Sequence, residues 1–194
     1  MNQNKNLNVI ILGGNGYIGS TIIEKWLEED KQADFFSISR SGKGRLSKPN
    51  IHYLKADVTR LEEVQAVLPE QVDYIIDCVG IYTKDQMQLK KYNLLPAQVM
   101  LKIAETKPVK GLGYIGGVMG PKEFVASKSS VIDMLRHSNH KIAYVEPTLV
   151  YGNGRSDSLS KMVPFLRFIG IFSKKMKPVD VNDLANELIT KLLQ

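Results

Sequence analysis

Near-continuous apolar runs alternate along the chain with amphipathic stretches. Residues 7–12 carry Leu7, Val9, Ile10, Ile11 and Leu12 and stop at a glycine cluster, the pattern of a strand buried on both faces. Over 17–29, Ile18, Ile22, Ile23, Trp26 and Leu27 recur at helical spacing, which predicts a helix with one apolar stripe. Further strands are expected at 35–39, 51–54, 74–79, 112–115 and 142–145, and further helices at 61–68, 89–105, 124–136 and 181–193. Strands separated by helices pair in parallel through crossovers. The expected fold class is therefore α/β, a doubly wound parallel sheet covered on both faces. No solenoid-length repeat or low-complexity tract interrupts this order, and the length of 194 residues predicts one domain over 1–194.

Composition mainly excludes. With 43% hydrophobic and 24% charged residues the chain is not of a disordered class. The longest uncharged stretch, from Asn6 to Ile23, is broken by asparagines and glycines, so no membrane span is expected. The first residues lack an apolar signal core and Cys78 has no disulfide partner, which makes a cytoplasmic location the expectation. A formal charge of +6 favours anionic partners. There is no paired Cys/His spacing, no basic helix interleaved with aromatics and no helix-turn-helix pattern, so neither nucleic acid nor a metal is expected. His137 and His140 lack a third ligand and read as surface residues. A phosphorylated cofactor accounts for the charge more simply.

The turn Gly13-Gly14-Asn15-Gly16-Tyr17-Ile18-Gly19 joins the first strand to the first helix. Gly13 permits a sharp exit, Gly16 lets backbone approach a pyrophosphate, and Gly19 lets the helix pack against the sheet, with the helix N-terminus facing the anion. This predicts a dinucleotide site. The second strand ends at Ser39 and Arg40, followed by Ser41, with no acid to bind a ribose diol. A guanidinium there stacks on adenine and pairs with a 2′-phosphate, which favours NADP over NAD. Ser39 and Ser41 are placed to assist, and Lys43 either assists with them or belongs, with Gly44 and Arg45, to a solvated loop.

These glycines, with later landmarks, resemble the short-chain dehydrogenase/reductase superfamily in its extended and atypical branches, including epimerase/dehydratase-like Rossmann proteins. The resemblance implies cofactor contacts at Gly13, Asn15, Gly16, Tyr17, Ile18 and Gly19, at Arg40 and Ser41, at Asp57 and Val58 beside adenine, and at Cys78, Val79 and Gly80, which end the fourth strand. Asn93 matches a family asparagine, and Pro147, Thr148 and Val150 lie in the segment that passes the nicotinamide.

The same resemblance exposes a departure. Family enzymes place a tyrosine four residues before a lysine on one helix, the lysine lowering the phenol pKa and the phenol moving the proton. Here Phe124 stands in the tyrosine position before Lys128, and none of the eight tyrosines has a lysine four residues later. Gly116 and Gly117 stand where a hydroxyl residue is expected. Lys128 is read as a ribose ligand, or else as an exposed helix lysine. Tyr151 and Tyr114 are alternative proton sources that also fit plain packing roles. Cys78 reads as a small buried apolar residue, and Asp73 and Asp77 as carboxylates that flank the fourth strand without forming a carboxylate pair. The expectation is an NADP(H)-binding protein that reduces a small carbonyl, quinone or flavin. The alternative is a non-catalytic redox-sensing or assembly factor linked to membrane quinone metabolism, as in atypical relatives associated with coenzyme Q synthesis and respiratory complex I.

Little chain follows Pro147, which predicts a much reduced C-terminal substrate region. Within it, the stretch opening at Leu159 and closing at Lys177 mixes apolar residues with cations. From Arg155 to Lys177 there are six basic residues and one acid. It reads either as a cap on the cofactor cleft or as a patch facing an anionic membrane or a protein partner.

Overall fold

The structure, a computed structural model, describes residues 6–153 and 178–194. Six parallel strands form one sheet: β1 (Asn8–Leu12), β2 (Asp34–Ser39), β3 (Ile51–Lys55), β4 (Tyr74–Asp77), β5 (Gly111–Ile115) and β6 (Ile142–Val145). Their order across the sheet is β3-β2-β1-β4-β5-β6, the doubly wound Rossmann order expected of the alternating pattern. The order reverses between β1 and β4, and the crevice beyond their C-terminal ends is where such sheets bind ligands.

The central strands β1, β4 and β5 bury both faces. Val9 and Ile11 of β1 pack under α1 (Tyr17–Glu29) and the last helix, α6 (Val181–Leu193); Ile10 and Leu12 pack under α2 (Leu61–Gln65), α4 (Leu95–Thr106) and α5 (Lys122–Arg136). On the first face Trp26 is fully buried, edge-on to Phe35 with centroids 6.0 Å apart. The stripe of α6, Val181, Leu184, Ala185, Leu188, Ile189 and Leu192, is buried throughout, and Asp180 caps the helix by accepting the Asn182 N–H. Both helices bounding this layer occupy the ranges their periodicity predicts.

Four elements depart from expectation, each for a local reason. The second helix ends at Gln65 rather than 68, because Leu68 precedes Pro69 and the residue before a proline disfavours helical backbone. The fourth strand ends at Asp77 rather than 79, where the Asp77 carboxylate accepts the Val79 N–H at 2.9 Å. The continuous helix expected over 89–105 is instead α3 (Gln86–Leu89), a π-helical turn (Lys90–Leu94) and α4. Pro96 has no N–H for the carbonyl four residues back at Tyr92, and an inserted residue upstream accommodates it. Finally, β7 (Val150–Tyr151) pairs in parallel with β8 (Val179–Asp180), a ladder too short to show an alternation in sequence. The segment from Leu159 to Lys177 lies outside the described residues.

Candidate functional site

The glycine turn sits at the switch point and is packed as tightly as its residues require. Gly13 has φ +78 and donates its N–H to the Ile38 carbonyl at 2.9 Å, while Gly16 donates back to the Gly13 carbonyl at 3.0 Å. A Cβ on Gly19 would stand 2.5 Å from the Gly13 oxygen and 2.7 Å from the Gly14 Cα, so α1 starts this close to the sheet only with glycine there. The first turn of α1 carries no acid and no side-chain cap, which leaves its positive dipole end unneutralised.

That end opens on a cavity of about 370 Å³ lined by Gly13, Asn15, Gly16, Arg40, Ser41, Asp57, Val58, Cys78, Val79 and Gly80, all expected from sequence. Ser39, a possible helper of Arg40 in the sequence, lines it too, and the site gains Ile38, Thr59 and Tyr92. Asn15 donates to the Ser41 hydroxyl at 3.2 Å, and Ser41 lies 3.3 Å from the Ser39 hydroxyl. Arg40 is exposed and lies over the Tyr92 ring, 5.8 Å from its centroid. Partial burial works to raise the Asp57 carboxyl, but the Thr59 N–H and hydroxyl and the fields of Arg40 and Lys91 outweigh it and hold the group below the usual carboxylate range. Arg45 turns away, donating to the Ser20 hydroxyl.

A second cavity of about 210 Å³ continues past Cys78, Val79 and Gly80, lined by Ile18, Tyr82, Gly117, Met119, Phe124, Lys128, Pro147, Thr148, Leu149 and Val150 among others. Tyr17, Gly19 and Asn93 line neither cavity and act behind the walls. The Tyr17 hydroxyl donates to the Gly152 carbonyl at 2.9 Å; the buried Asn93 accepts the Ile81 N–H at 2.8 Å and donates to the Ser127 hydroxyl at 2.9 Å. Cys78 packs against the core but is half-buried, not enclosed, where the two cavities meet.

Lys128 is the only ionised side chain on the second cavity's described lining. It is 5% exposed, donates to the Ile115 carbonyl at 2.9 Å and stands 4.7 Å from the Tyr114 ring centroid, which rules out the solvent-exposed lysine. Behind it lies Asp77, fully buried on β4 and in register with Tyr114 on β5. One Asp77 oxygen accepts the Val79 N–H; among the described residues the other has no hydrogen-bond partner, nor has the Tyr114 hydroxyl. Burial pushes Asp77 up to about 7 against the pull of Lys128, and pushes Lys128 down to about 8 against the pull of Asp77. The charged neighbour of each fourth-strand carboxylate is a lysine and not a second carboxylate: Lys128 for Asp77, and for Asp73 an ion pair to Lys110 at 3.0 Å. Tyr114 is fully buried and lines neither cavity, and burial and Asp77 together push its phenol up.

Phe124 explains the glycines opposite it. A Cβ on Gly117 would lie 3.1 Å from the Phe124 ring, and one on Gly120, where φ is +144, would lie 2.5 Å from the ring of Tyr82. The Tyr82 and Phe124 rings pack on each other with centroids 5.1 Å apart. The position expected to carry a hydroxyl is thus a bare shelf under a phenyl ring. Among the described residues no cluster of His, Cys, Asp or Glu is arranged for a metal, and no helix is long and apolar enough to cross a membrane.

The model of the NAD dependent epimerase/dehydratase family matches residues 9–118. No curated protein matches the sequence significantly. Among solved structures, the chain is similar to the Bordetella bronchiseptica enzyme WbmH in complex with NAD+, at 19% identity and a TM-score of 0.74 over 97% of this chain and 72% of that one. It is also similar to a tyrosine-to-phenylalanine variant of ElxO with NADPH bound, at 18% identity and a TM-score of 0.76 over 97% and 92%. A short chain dehydrogenase family protein from Francisella tularensis subsp. tularensis aligns at 19% identity and a TM-score of 0.70 over 97% and 91%.

Proposed function

The chain belongs to the NAD-dependent epimerase/dehydratase family, and we propose that within it this protein binds NADP(H) and passes reducing equivalents to a small, largely apolar acceptor without a tyrosine proton donor. The observation that carries the reading is the placement of Arg40, Ser41 and Asn15 on one cavity wall with the glycine turn, where the end of β2 offers a cation and hydroxyls in place of an acid. The place of Gly16 on the cavity wall and the closeness of Gly19 to the turn fit a diphosphate group.

In this reading Gly13, Asn15 and Gly16 hold the pyrophosphate against the α1 dipole, with Tyr17, Ile18 and Gly19 fixing the turn. Arg40 and Ser41 take the 2′-phosphate. Asp57 and Val58 border the adenine, the backbone of Cys78, Val79 and Gly80 lies along the dinucleotide, and Asn93 braces the adjoining loop. Lys128 binds the ribose, and Pro147, Thr148 and Val150 back the nicotinamide. Bound NADPH supplies a hydride. The chain's part is to orient the acceptor between Tyr82, Met119 and Leu149, to exclude water, and to present the Lys128 ammonium to developing negative charge. An acceptor whose reduced form is protonated by solvent, such as a quinone or flavin, suits a site where Phe124 has no proton to give. A neighbour with phenylalanine in place of a tyrosine holds NADPH, which supports cofactor binding without a phenol.

The test is titration with NADPH and NADH, followed by nicotinamide fluorescence, then turnover with quinones, flavins and carbonyl compounds. Saturable binding at micromolar NADPH with weaker NADH is expected, together with NADPH oxidation by at least one quinone or flavin. Absence of micromolar binding sinks the nucleotide reading. Binding without turnover favours a second reading, a redox-sensing or assembly factor that holds the nucleotide as a ligand; the phenyl ring resting on Gly117 is the feature that supports it.

A further inference from the structure

We propose that Tyr92 is a nucleotide-binding residue, its ring and the Arg40 guanidinium forming a clamp that opens to take the purine of a 2′-phosphorylated adenine nucleotide between them. The inference rests on the NADP(H) reading and adds to it the residue that receives the base.

Tyr92 is the middle residue of the π-helical turn, an element often found at functional sites. The next residue anchors the turn: Asn93 is fully buried and bonded to the Ile81 N–H and the Ser127 hydroxyl. Tyr92 thereby stands as a half-buried wall of the glycine-turn cavity, facing the same space as Arg40, Asp57, Val58 and Thr59. Two cations lie against its ring, Arg40 at 5.8 Å and Lys91 at 5.4 Å from the centroid.

A flat base in contact with planar groups on both sides needs about 7 Å between them. The present separation is somewhat less, and Arg40 is the partner able to give. Its backbone is fixed at the end of β2, but its side chain is exposed, whereas Tyr92 is held by its anchored turn. Swinging Arg40 outward admits a base. A purine then stacks on an aromatic face on one side and a guanidinium plane on the other, both sound stacking surfaces. The nucleotide must also be rich in phosphate. Arg40 and Lys91 outnumber Asp57 at this rim, and the Ser39, Ser41 and Asn15 network lies below Arg40.

The experiment is calorimetric titration of the full chain with 2′,5′-ADP, as wild type, Tyr92→Leu and Tyr92→Phe, beside a wild-type NMR titration following the Tyr92 ring resonances. Tyr92→Leu is expected to weaken 2′,5′-ADP about tenfold and Tyr92→Phe, which keeps the ring, to stay within about twofold. The Tyr92 resonances are expected to move on adding 2′,5′-ADP and to stay in place with inorganic pyrophosphate. Absence of wild-type binding to 2′,5′-ADP overturns the NADP(H) reading. Wild-type binding with unmoved Tyr92 resonances, or with Tyr92→Leu as tight as wild type, overturns the clamp alone.

Discussion

Arg40 closes β2 where an acid would suit an unphosphorylated ribose, and its side chain answers to the charge of whatever reaches it. Replacing it tests cofactor choice directly. Arg40→Ala removes charge-assisted bonds to the 2′-phosphate worth about 1.5–3 kcal/mol, together with a stacking face that both nucleotides share, so NADPH affinity is expected to fall about 10- to 100-fold more than NADH affinity, as read by fluorescence titration. Equal losses for both nucleotides contradict the assignment. Arg40 was legible in sequence because a strand end after a glycine turn fixes the position by counting. Tyr92 and Asp77 were not. Tyr92 reaches the cavity through a π turn that no regular periodicity announces, and Asp77 acquires its meaning from Lys128, a partner brought over it only by the packing of α5 on the sheet.

Among the elements, α1 and the turn before it are the best specified, and the most constrained residue in them is Gly19. A methyl group there meets backbone atoms of Gly13 and Gly14, which cannot rotate aside as a side chain would. Gly19→Ala is expected to cost about 1–3 kcal/mol in chemical denaturation and to abolish nucleotide binding, because the helix must lift from the cradle. A variant with wild-type stability and affinity contradicts this account of the turn. The same element shows why α1 and α6 were readable to the residue: long apolar stripes coincide with clean ends, at Gly16 and at the Asp180 cap. The stretch from Gln86 to Thr106 was readable only as helical. Its hydrophobic pattern runs on through Pro96, whereas the backbone breaks step before it. The β7–β8 ladder has two residues a strand, fewer than any alternation needs.

For the molecule as a whole, the buried Asp77 and Lys128 tie stability to pH. The folded chain holds the Asp77 proton up to about pH 7, whereas the unfolded carboxyl releases it near 3.8, so this group's contribution falls as pH rises across that window. Lys128 gives up its proton near 8 when folded and near 10.5 when unfolded, so its contribution rises with pH across that window. Asp57 and Asp73, both held low, act the other way and withdraw stability as acid protonates them. Thermal melts of Asp77→Asn are therefore expected to show a shallower decline than wild type between about pH 4 and pH 7. An identical profile would mean that Asp77 titrates as it does in the unfolded chain. The contact between Phe124 and the Gly117 shelf carries a different consequence, one for engineering. A Cβ at 117 comes within 3.1 Å of the phenyl ring, so a serine there needs the ring to yield by a few tenths of an ångström, and a tyrosine at 124, which keeps the ring, makes the same demand. A designer installing a phenol and a hydroxyl in this cleft must therefore widen the gap between ring and shelf before either substitution can serve.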